Sequence, residues 1–432
     1  MSPQGLSAAR AKLLRLSLLG ALSGVLASAV VLLFHGAIAF GETLLLPPGR
    51  SGNFEGLAPW LRLAFPLCGG LLLGLAFDLI PPQQRQVGIA HVLRRLHTPG
   101  EERLPAANLV TQFLGAVAAI LSGQSVDKEG PSVHIGAASA NLIGQRMRIS
   151  AEEDYTLAAC GGAAAIAAAF NTPLAGIIFV VEVLKVRYEV SRFLPVIVAS
   201  VVGAVLTRVL SGHAPTFVVQ PVDLRTSWEL LNLVILGLVI GGLAIAFIGL
   251  SGAVAARTAR WRNSRTFALA GLAVGVLALW TPQIMGTSYD TLDELLAGKE
   301  DLALVLALVA AKLLATAIAI GLRVPGGLIG PTLFIGGAAG SALGILFAAL
   351  GPFEPASPAF YATVGMVAMM GATLRAPLAA LTALLELTAN PGIILPGMLA
   401  VAGAELTSRL ILDRDSVFDV LIRSQRPSGG AR

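Results

Sequence analysis

The chain has 432 residues, of which 55% are hydrophobic and 13% charged, with a mean hydropathy of +0.79. That composition excludes an ordinary soluble protein and places the chain in a bilayer. Its net charge of +5 resembles that of a nucleic-acid binder, yet the basic residues fall in short breaks between apolar runs and form no basic domain. The cation excess therefore reads as membrane orientation, with no nucleic-acid partner.

Arg10, Lys12 and Arg15 precede the first apolar run, residues 16–41. Ala27-Ser28-Ala29 imitates a signal-peptidase site, but the run continues well beyond it and predicts a first transmembrane helix. Further runs long enough to span follow at 58–80, 105–122, 156–183, 194–210, 230–256, 266–282, 302–322 and 392–411. Arg146, Arg148, Arg257, Arg260, Arg262 and Arg265 mark cytoplasmic breaks. Asp290, Asp293, Glu294, Glu300 and Asp301, with Lys299 among them, fit a loop on the other side. Shorter runs near 132–145, 331–350 and 359–389 start at Gly-Pro or contain Pro377, which predicts broken or tilted helices facing protein or a wet cavity. A short polar tail with Arg423, Arg426 and Pro427 closes the chain.

Cys68 and Cys160 offer no disulfide framework, and His35, His91, His97, His134 and His213 are scattered without metal-ligand spacing. No metal or organic cofactor is expected. An intramembrane enzyme would need a nucleophile or a paired acid and base in the spans, and the sequence offers only scattered carboxylates.

The sequence repeats itself. Gly130-Pro131, Ile135-Gly136 and Gly144 recur as Gly330-Pro331, Ile335-Gly336 and Gly344. Gly161 to Glu182 recurs as Gly365 to Glu386, each copy containing Pro-Leu-Ala. The reading is one membrane domain, 1–432, with repeats at 10–215 and 228–412 and a cytoplasmic tail at 413–432. Duplicated membrane domains with broken helices place binding sites where half-helix ends meet, so the duplication points to transport. The matched positions of Glu182 and Glu386 favour helix-end roles over direct transport, and the four-residue spacing of Gly336, Gly340 and Gly344 favours close helix packing over a nucleotide loop.

The strongest chemical group is Asp127-Lys128-Glu129-Gly130-Pro131. Proline suits the first helical position, so Pro131 is read as opening a helix whose free N–H groups point back at Glu129. Glu129 then has two available roles, a simple cap or a gate that exchanges with an anion. The second copy, Gly326-Gly327-Leu328-Ile329-Gly330-Pro331, has no acid before it, so its N–H groups are expected to lack a built-in counter-charge. A helix N-terminus contributes roughly 0.3–2 kcal/mol to an adjacent anion, against roughly 2.5–3.5 kcal/mol for a charge at mid-bilayer. Two or three converging ends with direct N–H hydrogen bonds are therefore needed to hold a halide.

With these motifs the chain resembles the CLC family of chloride channels and transporters over essentially its whole length. Lys128-Glu129-Gly130-Pro131 matches the family's gate motif, and Gly327-Leu328-Ile329-Gly330-Pro331 is similar to its Gly-Ile-Phe-x-Pro. Ala167 through Gly176, Arg375-Ala376-Pro377-Leu378 and Asp415-Ser416-Val417-Phe418-Asp419 match as well. The resemblance implies an all-α, polytopic, inverted-repeat fold and a homodimer with one anion pathway per subunit. It implies Glu129 as the gate, bound chloride ions, and an anion site lined by Val87, Gly88, Ile89, Gly130, Leu328, Ile329 and Phe418. A bacterial plasma-membrane location with both termini cytoplasmic follows.

Departures from the family pattern carry information. Gln86-Val87-Gly88-Ile89-Ala90 stands where Gly-Ser-Gly-Ile-Pro is usual, and Phe418 stands where a tyrosine is usual. Unless the first motif aligns differently, both hydroxyl ligands are lost, each worth roughly 0.5–1.5 kcal/mol. Val183 stands at the proton-path position that often carries a second glutamate, and Asp127 replaces the first glycine of the gate motif. The function implied is passive or weakly proton-coupled anion transport. Chloride/proton antiport is the alternative, and fluoride/proton antiport follows further behind.

Overall fold

The computed structural model describes all residues except 1–2, 99–102, 213–227, 299–300, 352–354, 414 and 425–432. His213, Lys299, Glu300, Arg426 and Pro427 fall outside the described residues. Seventeen α-helices and no strands occur among the described residues, as the all-α reading requires. Among the described residues, seven helices are long and apolar enough to cross a membrane.

In chain order the helices are α1 (Pro3–Leu45), α2 (Pro59–Leu79), α3 (Gly88–Leu96), α4 (Ala106–Leu121), α5 (Glu129–Met147), α6 (Ala151–Phe170), α7 (Pro173–Glu182) and α8 (Val190–Ser211). They continue as α9 (Glu229–Thr258), α10 (Asn263–Leu277), α11 (Tyr289–Leu296), α12 (Leu302–Gly321), α13 (Ile329–Leu350), α14 (Pro358–Leu374), α15 (Pro377–Thr388), α16 (Ile394–Leu412) and α17 (Val417–Ser424). Proline at the first helical position starts α2, α7, α14 and α15, where its missing N–H costs nothing. A capping box of Ser150 with Glu153 starts α6.

The chain forms two compact units. The first comprises Met1–Gly36, Gln83–Phe113 and Pro131–Thr216, and within it α6 packs on α7 and α8. A methyl group on Gly136 would stand 2.5 Å from the Gly161 carbonyl, so α5 and α6 touch backbone to backbone. The second comprises Ala37–Pro82, Leu114–Gly130 and Phe217–Arg432, with α2 on α10, α9 on α16 and α13 on α14. There Gly336 meets the Gly365 carbonyl in the same way. These glycines serve close packing, as their spacing indicates.

Two predicted runs resolve differently, and a third breaks as its internal proline predicts. The run 156–183 is two helices, because Asn171 adopts the left-handed conformation (φ 57°) and Pro173 restarts the chain as α7. The run 359–389 breaks as expected, at Arg375 (φ 58°) just before Pro377. Conversely 331–350, expected as a shorter broken or tilted run, belongs to the unbroken 22-residue α13, which is long enough to span.

Candidate functional site

The second unit brings the two entry loops of the repeated helices together. After α4, the Gly123 N–H donates to Ile120 O (2.9 Å) and the Gln124 N–H to Ala119 O (3.1 Å). After α12, the Arg323 N–H donates to Ile320 O (3.0 Å) and the Val324 N–H to Ala319 O (3.1 Å). Gly123 (φ 79°) and Arg323 (φ 68°) both take the left-handed conformation. Arg323 is held there because its guanidinium donates to the carbonyls of Thr258, Ala259 and Trp261. The loops then pair with each other through an antiparallel bridge, Asp127 N–H to Gly327 O (3.1 Å) and Gly327 N–H to Asp127 O (3.0 Å). Ser125 and Thr316 hydroxyls add a bond of 2.9 Å. Glycine is required at 327, since a Cβ there would strike the Asp127 carboxylate and lie 2.7 Å from the Gly130 nitrogen.

This bridge places a carboxylate where the sequence reading did not. Asp127 is fully buried, and its two oxygens accept from both helix starts, Oδ1 from the Gly130 N–H at 3.1 Å and Oδ2 from the Gly330 N–H. The expectation that Pro131 opens the helix with its free N–H groups facing Glu129 is therefore corrected: the helix starts earlier, and its Gly130 N–H faces Asp127 instead. The helix itself begins at Glu129, and the side chain two residues earlier folds over to reach the Gly130 amide. The expectation that the second copy lacks a counter-charge is corrected too, because Asp127 crosses the bridge to Gly330.

Glu129 is also fully buried. The Tyr289 hydroxyl is directed at it, but neither carboxylate oxygen receives a well-aligned hydrogen bond. Lys128 sits with its Nζ 5.6 Å from the centre of the Tyr289 ring. Lys312, absent from the sequence reading, is fully buried on α12. Its Nζ donates to Ile284 O (2.9 Å), Gly286 O (3.1 Å) and Ser288 Oγ (2.7 Å), and its charge acts on Asp127 and Asp290. A buried lysine saturated by three acceptors contributes positive potential without an ion pair that would trap an anion.

Among the residues expected to line the anion site, Glu129, Gly130, Leu328 and Ile329 lie at this junction, and Leu328 and Ile329 are buried at the start of α13. Phe418 is buried on α17, which packs on α9 and α14. Val87 precedes α3 in the first unit, followed by Gly88 (φ 78°) and buried Ile89, with the Gly88 N–H held by Gln112 Oε1 at 2.5 Å. Val183 is buried at the end of α7, so no acid stands at that position. The histidines are less scattered than their spacing indicates: His91 Nδ1 lies 2.9 Å from His134 Nε2, both buried in the first unit. No group of three or more metal-ligating side chains occurs among the described residues.

The model of the voltage gated chloride channel family matches residues 69–409, most of the chain. The chain belongs to this family, the CLC proteins. It is 31% identical over 413 residues to the voltage-gated ClC-type chloride channel ClcB of Salmonella typhi, covering 93% of this chain and 97% of the relative. It is 29% identical to the H(+)/Cl(-) exchange transporter ClcA of Cronobacter sakazakii, covering 95% and 90%. The crystal structure of a slow cyanobacterial Cl-/H+ antiporter superposes with a TM-score of 0.79 at 22% identity, covering 95% of this chain and 97% of that one, which shows the shared fold. As a CLC protein with seven membrane-length helices, the chain is an integral membrane protein.

Sequence reasoning missed the reach of Asp127, although a signal was present. At an offset of 200 residues Asp127 aligns with Gly327, and an acid opposite a glycine is the arrangement that lets one side chain serve both loops.

Proposed function

We propose that this CLC protein carries chloride across a bacterial plasma membrane through a pore gated by Glu129, passively or with weak proton coupling. The observation that carries the reading is a fully buried glutamate at the start of α5 whose carboxylate oxygens are not locked by hydrogen bonds. A buried carboxylate that receives no well-aligned hydrogen bond is costly to keep charged, so it is poised to move or to exchange a proton, as a gate requires. Leu328 and Ile329 supply backbone amides, with Gly130 and Phe418 as further wall. Buried, apolar Val183 supports weak coupling, because no titratable group stands there. Chloride/proton antiport is the second reading, favoured by the likeness to the ClcA exchange transporter over 95% of the chain.

A homodimer with one pathway per subunit fits the exposed apolar side chains of α8 (Val201, Val205, Val209) and of α16 (Leu395, Leu406, Leu410), which need lipid or a second copy to cover them. The deciding experiment records chloride and proton flux together in liposomes for the wild type and Glu129→Gln. The variant is expected to lose the pH dependence of chloride flux. An unchanged pH profile would remove Glu129 from the gate, and proton movement locked to chloride in the wild type would select the antiport reading.

A further inference from the structure

We infer that Asp127 is a tethered anion that occupies, from within the chain, a halide seat built by the Gly130 and Gly330 amides, so that chloride binds there only by displacing it. The inference rests on the chloride-transport reading and names how its site is regulated. The two amides belong to the first turns of α5 and α13, helices of 19 and 22 residues, whose N-termini favour negative charge. They converge on one carboxylate with no solvent exposure, Oδ1 taking the Gly130 N–H at 3.1 Å and Oδ2 the Gly330 N–H. Donors that satisfy a buried carboxylate also suit a poorly hydrated halide, and one set of N–H groups cannot serve both. The same occupancy accounts for Glu129, whose oxygens lack well-aligned donors two residues away. Lys312 and Lys128 are the cations near this group, but the Lys312 ammonium donates to Ile284, Gly286 and Ser288, so Asp127 owes its position to the amides.

The seat is therefore filled when chloride is absent, and apparent chloride affinity is set by the competition. Removing the Asp127 carboxylate should tighten chloride binding by about ten-fold or more, since an amide hydrogen bond to a charged group is worth roughly one decade or more in affinity. Calorimetry with chloride on detergent-purified wild type, Asp127→Gly, Asp127→Asn and Asp127→Gly/Glu129→Gln tests this. The double variant should bind most tightly because neither carboxylate remains to compete, and Asp127→Asn, which keeps the side-chain shape, should fall between wild type and Asp127→Gly. Equal affinities for the wild type and both single Asp127 variants overturn the inference, as does a Glu129→Gln variant, measured alongside them, that alone matches the double variant. In unaltered protein carrying 13C-labelled aspartate, infrared difference spectra should show chloride perturbing an aspartate carboxylate band, and an unmoved band also overturns it. Liposome flux separates the two levels: chloride movement with unchanged affinities sinks only the Asp127 seat, whereas no chloride movement in any form sinks the transport reading.

Discussion

The helices that begin at Glu129 and at Ile329 are entered through loops with the same backbone hydrogen bonds, yet the two copies carry opposite charge. In the first copy the helix before the loop bears neutral Gln112 and the loop bears Asp127; in the second, the matching positions are Lys312 and Gly327. Gln112 uses its side-chain oxygen to hold the Gly88 amide, a local task. Lys312 ties down the segment from Ile284 to Ser288 and acts on Asp127. Duplication gave a common backbone frame, and the side chains then diverged so that one loop supplies an acid while the other leaves room for it. The same exchange recurs at the broken helices. The left-handed residue ending α6 is Asn171, which accepts from Arg208, whereas the one ending α14 is Arg375, which donates to Glu405 and to the Ser408 and Asp413 carbonyls.

Lys312→Met is the strongest way to break this division of labour. It leaves the Ile284 and Gly286 carbonyls and the Ser288 hydroxyl without their donor and strips the junction of a buried cation. Each buried acceptor left without its donor costs about 1–3 kcal/mol, so a clear fall in the thermal unfolding midpoint in detergent is expected. Lys312→Gln, which imports the residue of the first copy, should recover part of the loss. A midpoint unchanged in Lys312→Met would show that the ammonium is not what orders the segment.

A smaller effect is expected from Gly327→Ala, which makes the second loop too large for its partner. The new methyl group would meet the Asp127 carboxylate and the Gly130 nitrogen, and overpacking of this kind costs about 1–3 kcal/mol. Chloride flux should fall along with stability. Asp127→Gly in the same chain removes the obstructing carboxylate but not the Gly130 nitrogen, so it should restore only part of the stability. If Gly327→Ala were neutral on both measurements, the two loops would not be in the contact described.

Much of this junction was legible in the sequence, and the limits were physical. Gly130-Pro131 and Gly330-Pro331 located both helix starts because proline and glycine restrict where a helix begins. The break at Asn171 escaped because apolar run length does not register a single left-handed residue, although Pro173 marks the restart, whereas Pro377 announced the break at Arg375. Asp127 and Lys312 escaped for another reason. Each satisfies partners distant in sequence, Gly330 for one and Ile284 to Ser288 for the other, and local spacing records none of those contacts. The pairing of His91 with His134 is the same kind of event, made by two helices whose histidines stand 43 positions apart.

The mildest test follows the charge asymmetry outward to Asp290, at the start of α11, whose carboxylate interacts with Lys312. Burial raises its pKa above the usual aspartate value, and its hydrogen bonds to the Thr291 and Asp290 amides, with Arg50 and Lys312, only partly oppose that. A carboxylate with a raised folded-state pKa holds its proton longer in the folded protein than in the unfolded chain. Stability is therefore undiminished below the unfolded value of about 4 and is lost as pH climbs through the raised folded value. Asp290→Asn cannot ionise, so it should unfold at a higher temperature than wild type near pH 7 and at nearly the same temperature near pH 3.5. The gain should stay below about 1 kcal/mol, because the side chain is only partly buried and solvent screens it. A variant less stable than wild type at the higher pH would mean that the attraction of Lys312 and Arg50 outweighs burial, and that the second copy's cation is committed to Asp290 more than to Asp127.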